Sequence, residues 1–113
     1  MKFSELEPVW LVADGEEPQA LSSGYDHRPI KGVVGCQFLC PMCLRTDGHS
    51  IRLFMPHVPE DWEPLPGRWR IIGHRLSCAT IAPSIKIPKG CYAHFSIKHG
   101  EIQWHGGRVH PQT

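Results

Sequence analysis

The residues best placed to do chemistry are thiols. Cys40-Pro41-Met42-Cys43 sets two cysteines three positions apart on a turn-prone segment. Two thiolates so spaced can meet one borderline-soft cation without strain, which is half of a tetrahedral zinc site. The nearest complement is Cys91-Tyr92-Ala93-His94, beginning 48 positions after Cys43. Cys40, Cys43, Cys91 and His94 would together give three thiolates and an imidazole around Zn2+, a closed structural site with a formal charge of −1. Lys89 could offset that charge. His49, six positions after Cys43, is the rival fourth ligand, and Cys36 is a weaker one. Residues three apart on a regular strand face opposite ways. Cys91 and His94 can therefore share an ion only if Cys91 lies in the turn after Gly90. Isolated cysteines are usually small buried hydrophobes, and Cys36 and Cys78 are read that way. Five cysteines, an odd count, and no apolar leader in Met1–Glu7 favour metal over a disulfide framework and predict a cytoplasmic protein. A redox Cys-x-x-Cys opens a helix beside a βαβ unit, and no such helix is readable.

The elements that must position these groups read as short strands. β-prone or alternating segments lie at 7–13, 32–39, 49–54, 69–73, 80–87, 93–97 and 101–104. Phe95 and Ile97 share one face of a hairpin with Ile102 and Trp104, and Gly100 suits its turn. Residues 14–31 and 56–67 read as long loops, the second as a Pro-rich lid, and 106–113 as a flexible tail. Pro83 interrupts the strand at 80–87. Eleven Gly and eleven Pro argue against a helical bundle. The expected fold is all-β: one small domain, 1–113, of six to eight short antiparallel strands with a zinc knuckle.

The net charge of +1 gives no global case for nucleic acid. Its distribution is uneven: residues 1–63 carry −5 and residues 64–113 carry +6. Packing of one half on the other would partly neutralise both. A basic half could also meet phosphate or an acidic partner. No apolar run approaches the ~20 residues of a membrane span. No His-Glu-x-x-His, Gly-x-Ser-x-Gly, P-loop, glycine-rich dinucleotide or zinc-deaminase motif is present. Trp10, Trp62, Trp69 and Trp104 could stack on bases, but in a small β domain they more often pack core and edges.

Five segments together resemble a family of small phage and prophage proteins of unknown function, often labelled "ammonia monooxygenase". They are Phe38–Cys43, Trp69 with Gly73, Thr80–Ile85, Gly90–Ile97 and Gly100–Trp104, and Leu6–Trp10 also fits. The resemblance spans about residues 6–104 and implies a zinc-binding β domain, with Cys40, Cys43, Cys91 and His94 as ligands. Many members carry a further Cys at the end of the hairpin, where this chain has His105, and some carry a His sooner after the Cys pair than His49. A thiolate-rich closed site suits zinc, not the iron or copper of a monooxygenase.

The leading expectation is a zinc-stabilised binding module in the host cytoplasm, contacting a host or phage protein through the 56–67 loop, the basic half and exposed Trp. A zinc-dependent hydrolase would need an open coordination position, with Glu101 and His94, His99 or His105 as acid or base. Nucleic-acid binding through the basic half is the third reading.

Overall fold

The computed structural model describes residues 1–13, 17–22, 25–43, 50–59, 62, 67–87 and 92–106. Eight strands form two four-stranded antiparallel sheets, as the all-β reading requires. They are β1 (Val9–Val12), β2 (Gln19–Ala20), β3 (Val33–Leu39), β4 (Ser50–Phe54), β5 (Arg70–Ile72), β6 (Thr80–Lys86), β7 (His94–Lys98) and β8 (Glu101–Gly106). The first sheet runs β2-β1-β3-β4 and the second β5-β6-β7-β8. Each sheet comes from one half of the chain. The two halves of the chain are therefore the two layers; Arg52 is the one charged residue on the strands of the first, so the acids of residues 1–63 lie outside those strands.

Alternation explains the layering. In β3 Cys36 and Phe38 point inward beside Trp10 of β1 and Ile51 and Leu53 of β4. From the second sheet come Ile71, Ile81, Ile85, Phe95, Ile97 and Ile102. All belong to one buried cluster, sealed at one end by Phe3 and Leu6 of a 3-10 turn. Phe38 stands edge-on to Phe3 at 5.0 Å and to Phe95 at 6.3 Å, so its ring joins both sheets and the turn.

A second, smaller cluster lies on the outer side of the first sheet. Leu11 and Phe54 flank Gly35 there, covered by Val58 and Trp62. Trp62 packs edge-on to Phe54 at 5.5 Å. Arg68 stacks over the same Phe54 ring and donates to the carbonyls of Val58 and Pro59. The described part of the 56–67 loop thus covers the outer cluster.

The segment expected as one loop over 14–31 contains β2 and a strap. Asp26 is the strap's anchor: its carbonyl accepts from Trp10 Nε1 at 2.9 Å and from the Leu76 amide at 3.1 Å. Its carboxylate accepts from the Ser77 amide and hydroxyl at 2.8 and 2.7 Å. Arg28 continues the strap along β5, donating to the Ile71 carbonyl at 3.0 Å. This strap ties the first sheet to the second across their shared edge. The strand expected to break at Pro83 runs through it, although pairing with β7 lapses between Ile81 and Ile85. The β7–β8 connection is tighter than a three-residue loop: His99 and Gly100 alone form it, with φ of 49° and 77°. Two positive φ values match the twist of the flanking strands.

Two glycines are required by close approach. A Cβ on Gly35 would overlap the Leu53 carbonyl oxygen, and one on Gly100 would overlap that of Ser77. Gly100 is also held by its amide on Ala79 O at 2.9 Å and its carbonyl on the Phe3 amide at 2.8 Å. Gly35→Ala and Gly100→Ala are each expected to lower unfolding free energy by about 2 kcal/mol or more, read by urea denaturation. Unchanged midpoints would show that the strand and turn can open to admit a methyl group.

Candidate functional site

Cys40 directly follows β3, where the first sheet ends and the chain enters a turn over Pro41–Cys43. Both Cys40 and Cys43 are buried, at 0% and 1% exposure. They lie in the same contiguous cluster as Ile87 and Ala93. Those two residues bracket the β6–β7 connection, and the Ile87 amide donates to the Ala93 carbonyl at 2.8 Å. In sequence Cys91 stands two positions before Ala93. Cys91 and the rival ligand His49 themselves lie outside the described residues, as does Lys89.

His94 is placed differently from the sequence expectation. It sits on the outer face of the second sheet, with Nε2 2.9 Å from Ser84 Oγ and its ring 5.0 Å from that of His105. His105 Nε2 in turn lies 2.6 Å from Ser96 Oγ. Among the described residues no three His, Cys, Asp or Glu side chains gather as a metal site. The physical reason for the placement of His94 is strand parity: Phe95 turns inward, which sends His94 and Ser96 outward.

This hydroxyl–imidazole cluster was not singled out from the sequence. Its signal was present in the alternation, because His94 and Ser96 share one parity and Gln103 and His105 share the other strand's outward parity. What alternation alone omits is the neighbour across β6: Lys86 pairs with His94, which brings Ser84 into reach.

The remaining cysteines divide. Cys36 is fully buried in β3, as expected, and burial pushes its thiol from 9.0 up to about 12. Burial thus disfavours its thiolate, the nucleophilic form. Cys78, expected in the core, is exposed instead. The reason is the 3-10 turn Leu76–Cys78, which spends its inward position on Leu76. Of the tryptophans, Trp10 and Trp69 are core, Trp62 covers the outer cluster, and Trp104 is 47% exposed at the sheet edge. Of the hydrolase candidates, His94 and His105 lie together and the others apart. Glu101 is exposed opposite Lys98, and His99 occupies the β7–β8 turn with its amide on Thr80 Oγ1 at 3.0 Å.

The Cys36 shift has a stability consequence. Below pH 9 both folded and unfolded thiols are protonated and contribute no pH dependence. Between 9 and about 12 the unfolded chain loses a proton that the folded chain keeps. Folding stability should therefore fall by about 1.4 kcal/mol per pH unit through that window from this group. The difference in slope between wild type and Cys36→Ala, measured by denaturation from pH 8 to 10.5, checks it. Equal slopes would mean that the thiol ionises in the folded protein.

No family model, no curated protein and no solved structure matches this chain.

Proposed function

We propose that this chain is a zinc-stabilised β-sandwich that works as a binding module, with a host or phage protein as its partner. The observation that carries the reading is the burial of Cys40 and Cys43 at the end of β3, in one cluster with the residues that bracket the Cys91 connection. Paired thiols on a turn suit a borderline-soft cation, and zinc requires four such donors. Cys40, Cys43 and Cys91 would supply three. His94 is engaged with Ser84 on the outer face, so the fourth falls to His49. A metal held there would join the first sheet to the β6–β7 connection of the second. Its role would be structural, adding cross-layer stability to a turn-rich chain.

The module reading draws further support from the surface. Ile30 is 98% exposed, and Tyr25 and Ile72 are each 53% exposed, on or beside the strap that runs along β5. The 56–67 loop is in part committed to covering Phe54, which moves the expected contact surface toward that strap. Among the described residues no helix is long and apolar enough to cross a membrane.

Elemental analysis of purified wild type, Cys40→Ser and Cys91→Ser tests the site. One zinc per chain, lost in both variants with a large drop in thermal stability, is the expected result. Cobalt substitution separates this reading from a zinc hydrolase. A tetrahedral, thiolate-rich spectrum unchanged by added anions is expected of a closed site, whereas an exchangeable water ligand would mark an open one. Metal-free wild type with unchanged melting would sink the proposal.

A further inference from the structure

The outer face of the second sheet gathers hydrogen-bond donors and positive charge. Three adjacent strands contribute. Ser84 and Lys86 come from β6, His94, Ser96 and Lys98 from β7, and Gln103 and His105 from β8. Register places Lys86 across from His94 and Ser96 across from Gln103. Lys86 is therefore the cross-strand neighbour of His94, while Lys98 stands two positions along β7 from Ser96 and across from Glu101, the one carboxylate on these strands.

The pairs have a property that does not depend on tautomer. In Ser84–His94 and in Ser96–His105 the contact is hydroxyl oxygen to Nε2, at 2.9 and 2.6 Å. If the hydroxyl donates, the neutral imidazole keeps its proton on Nδ1. If Nε2 donates, the hydroxyl proton is released. Either way each pair retains one donor for a ligand. With the two rings 5.0 Å apart, the two pairs adjoin on this face. A divalent cation would meet repulsion from both ammonium groups. A doubly charged, oxygen-rich anion would be attracted by both and hydrogen-bonded by both pairs.

We infer that this face is a binding site for a phosphoryl dianion, held by the Ser84–His94 and Ser96–His105 pairs with Lys86 and Lys98 as its charge partners. The site goes beyond the zinc module and does not require it.

Inorganic phosphate is the probe. It is titrated into the full-length chain at constant ionic strength, and the ring proton resonances of all eight histidines are followed by NMR. The expected result is saturable shifts confined to His94 and His105. Ser84→Ala combined with Ser96→Ala should weaken the response about tenfold, and Lys86→Gln should weaken it further while the backbone amide spectrum stays native. Phenyl phosphate distinguishes the source of the group: binding as tight as inorganic phosphate assigns the site to a phosphomonoester, and weaker binding assigns it to the free anion. Shifts spread over many histidines, or an unchanged response in the double variant, would overturn the inference. So would tighter binding of a single-stranded oligonucleotide than of either inorganic phosphate or phenyl phosphate, because that would assign the face to nucleic acid.

Discussion

Phe38 occupies the point on which the two layers depend. Its ring meets Phe3 and Phe95 edge-on, so one side chain of the first sheet contacts both the N-terminal turn and the centre of the second sheet. Neither sheet could hide its apolar face alone. A four-stranded sheet with one wet side must cover the other. Here each half of the chain supplies the cover for the other half. That arrangement also fixes the charge distribution. The two halves form separate layers, and the strands of the second carry Arg70, Lys86, Lys98 and Glu101, against Arg52 on the first. The phosphoryl site falls on the basic layer because the fold makes that layer's outward positions contiguous.

The two layers are joined at the edge as well as at the core. The Asp26 strap reaches from Trp10 to Leu76 and Ser77, using one carbonyl and one carboxylate. Trp10 is buried, and its indole N–H needs a partner that the apolar core does not offer. The strap supplies it. Gly100 performs the corresponding task at the other end, where the β7–β8 turn presses against Ser77 and receives the Phe3 amide. Both close approaches converge on residues 76–79. That short 3-10 turn is therefore a junction between the strap, the N-terminal turn and the second sheet.

Most of the strands were legible because alternation is local. Ile51 and Leu53, Phe95 and Ile97, and Ile102 all face inward as their spacing indicates. β2 was not legible: two exposed residues, Gln19 and Ala20, carry no pattern, and only pairing with Leu11 and Val12 makes them a strand. Cys78 was misread because burial of an isolated cysteine depends on which residue of its turn points inward, and Leu76 won that position. The candidate metal residues were half legible. Cys40 and Cys43 are buried at the end of β3, whereas His94 follows the parity of β7 outward. A Cys-x-x-His on a strand start is a weaker signal than a Cys-x-x-Cys on a turn for this reason. The strand's own periodicity decides where its histidine goes.

The same parity argument separates structural chemistry from surface chemistry in this chain. Inward positions of the second sheet are filled by Ile and Phe, which leaves no polar group in its interior beyond the backbone. All of its imidazoles and hydroxyls must then lie outside or at turns. Outside, they pair with each other across strands: a serine of β6 with a histidine of β7, and a serine of β7 with a histidine of β8. A stepwise pairing across three strands fixes each side chain by its neighbour, so the donors are arranged before a ligand arrives. The cost of ordering them is met by the sheet, which is rigid because its opposite face is the core. The fold's stability and the proposed anion site therefore rest on the same sheet, one on each of its faces.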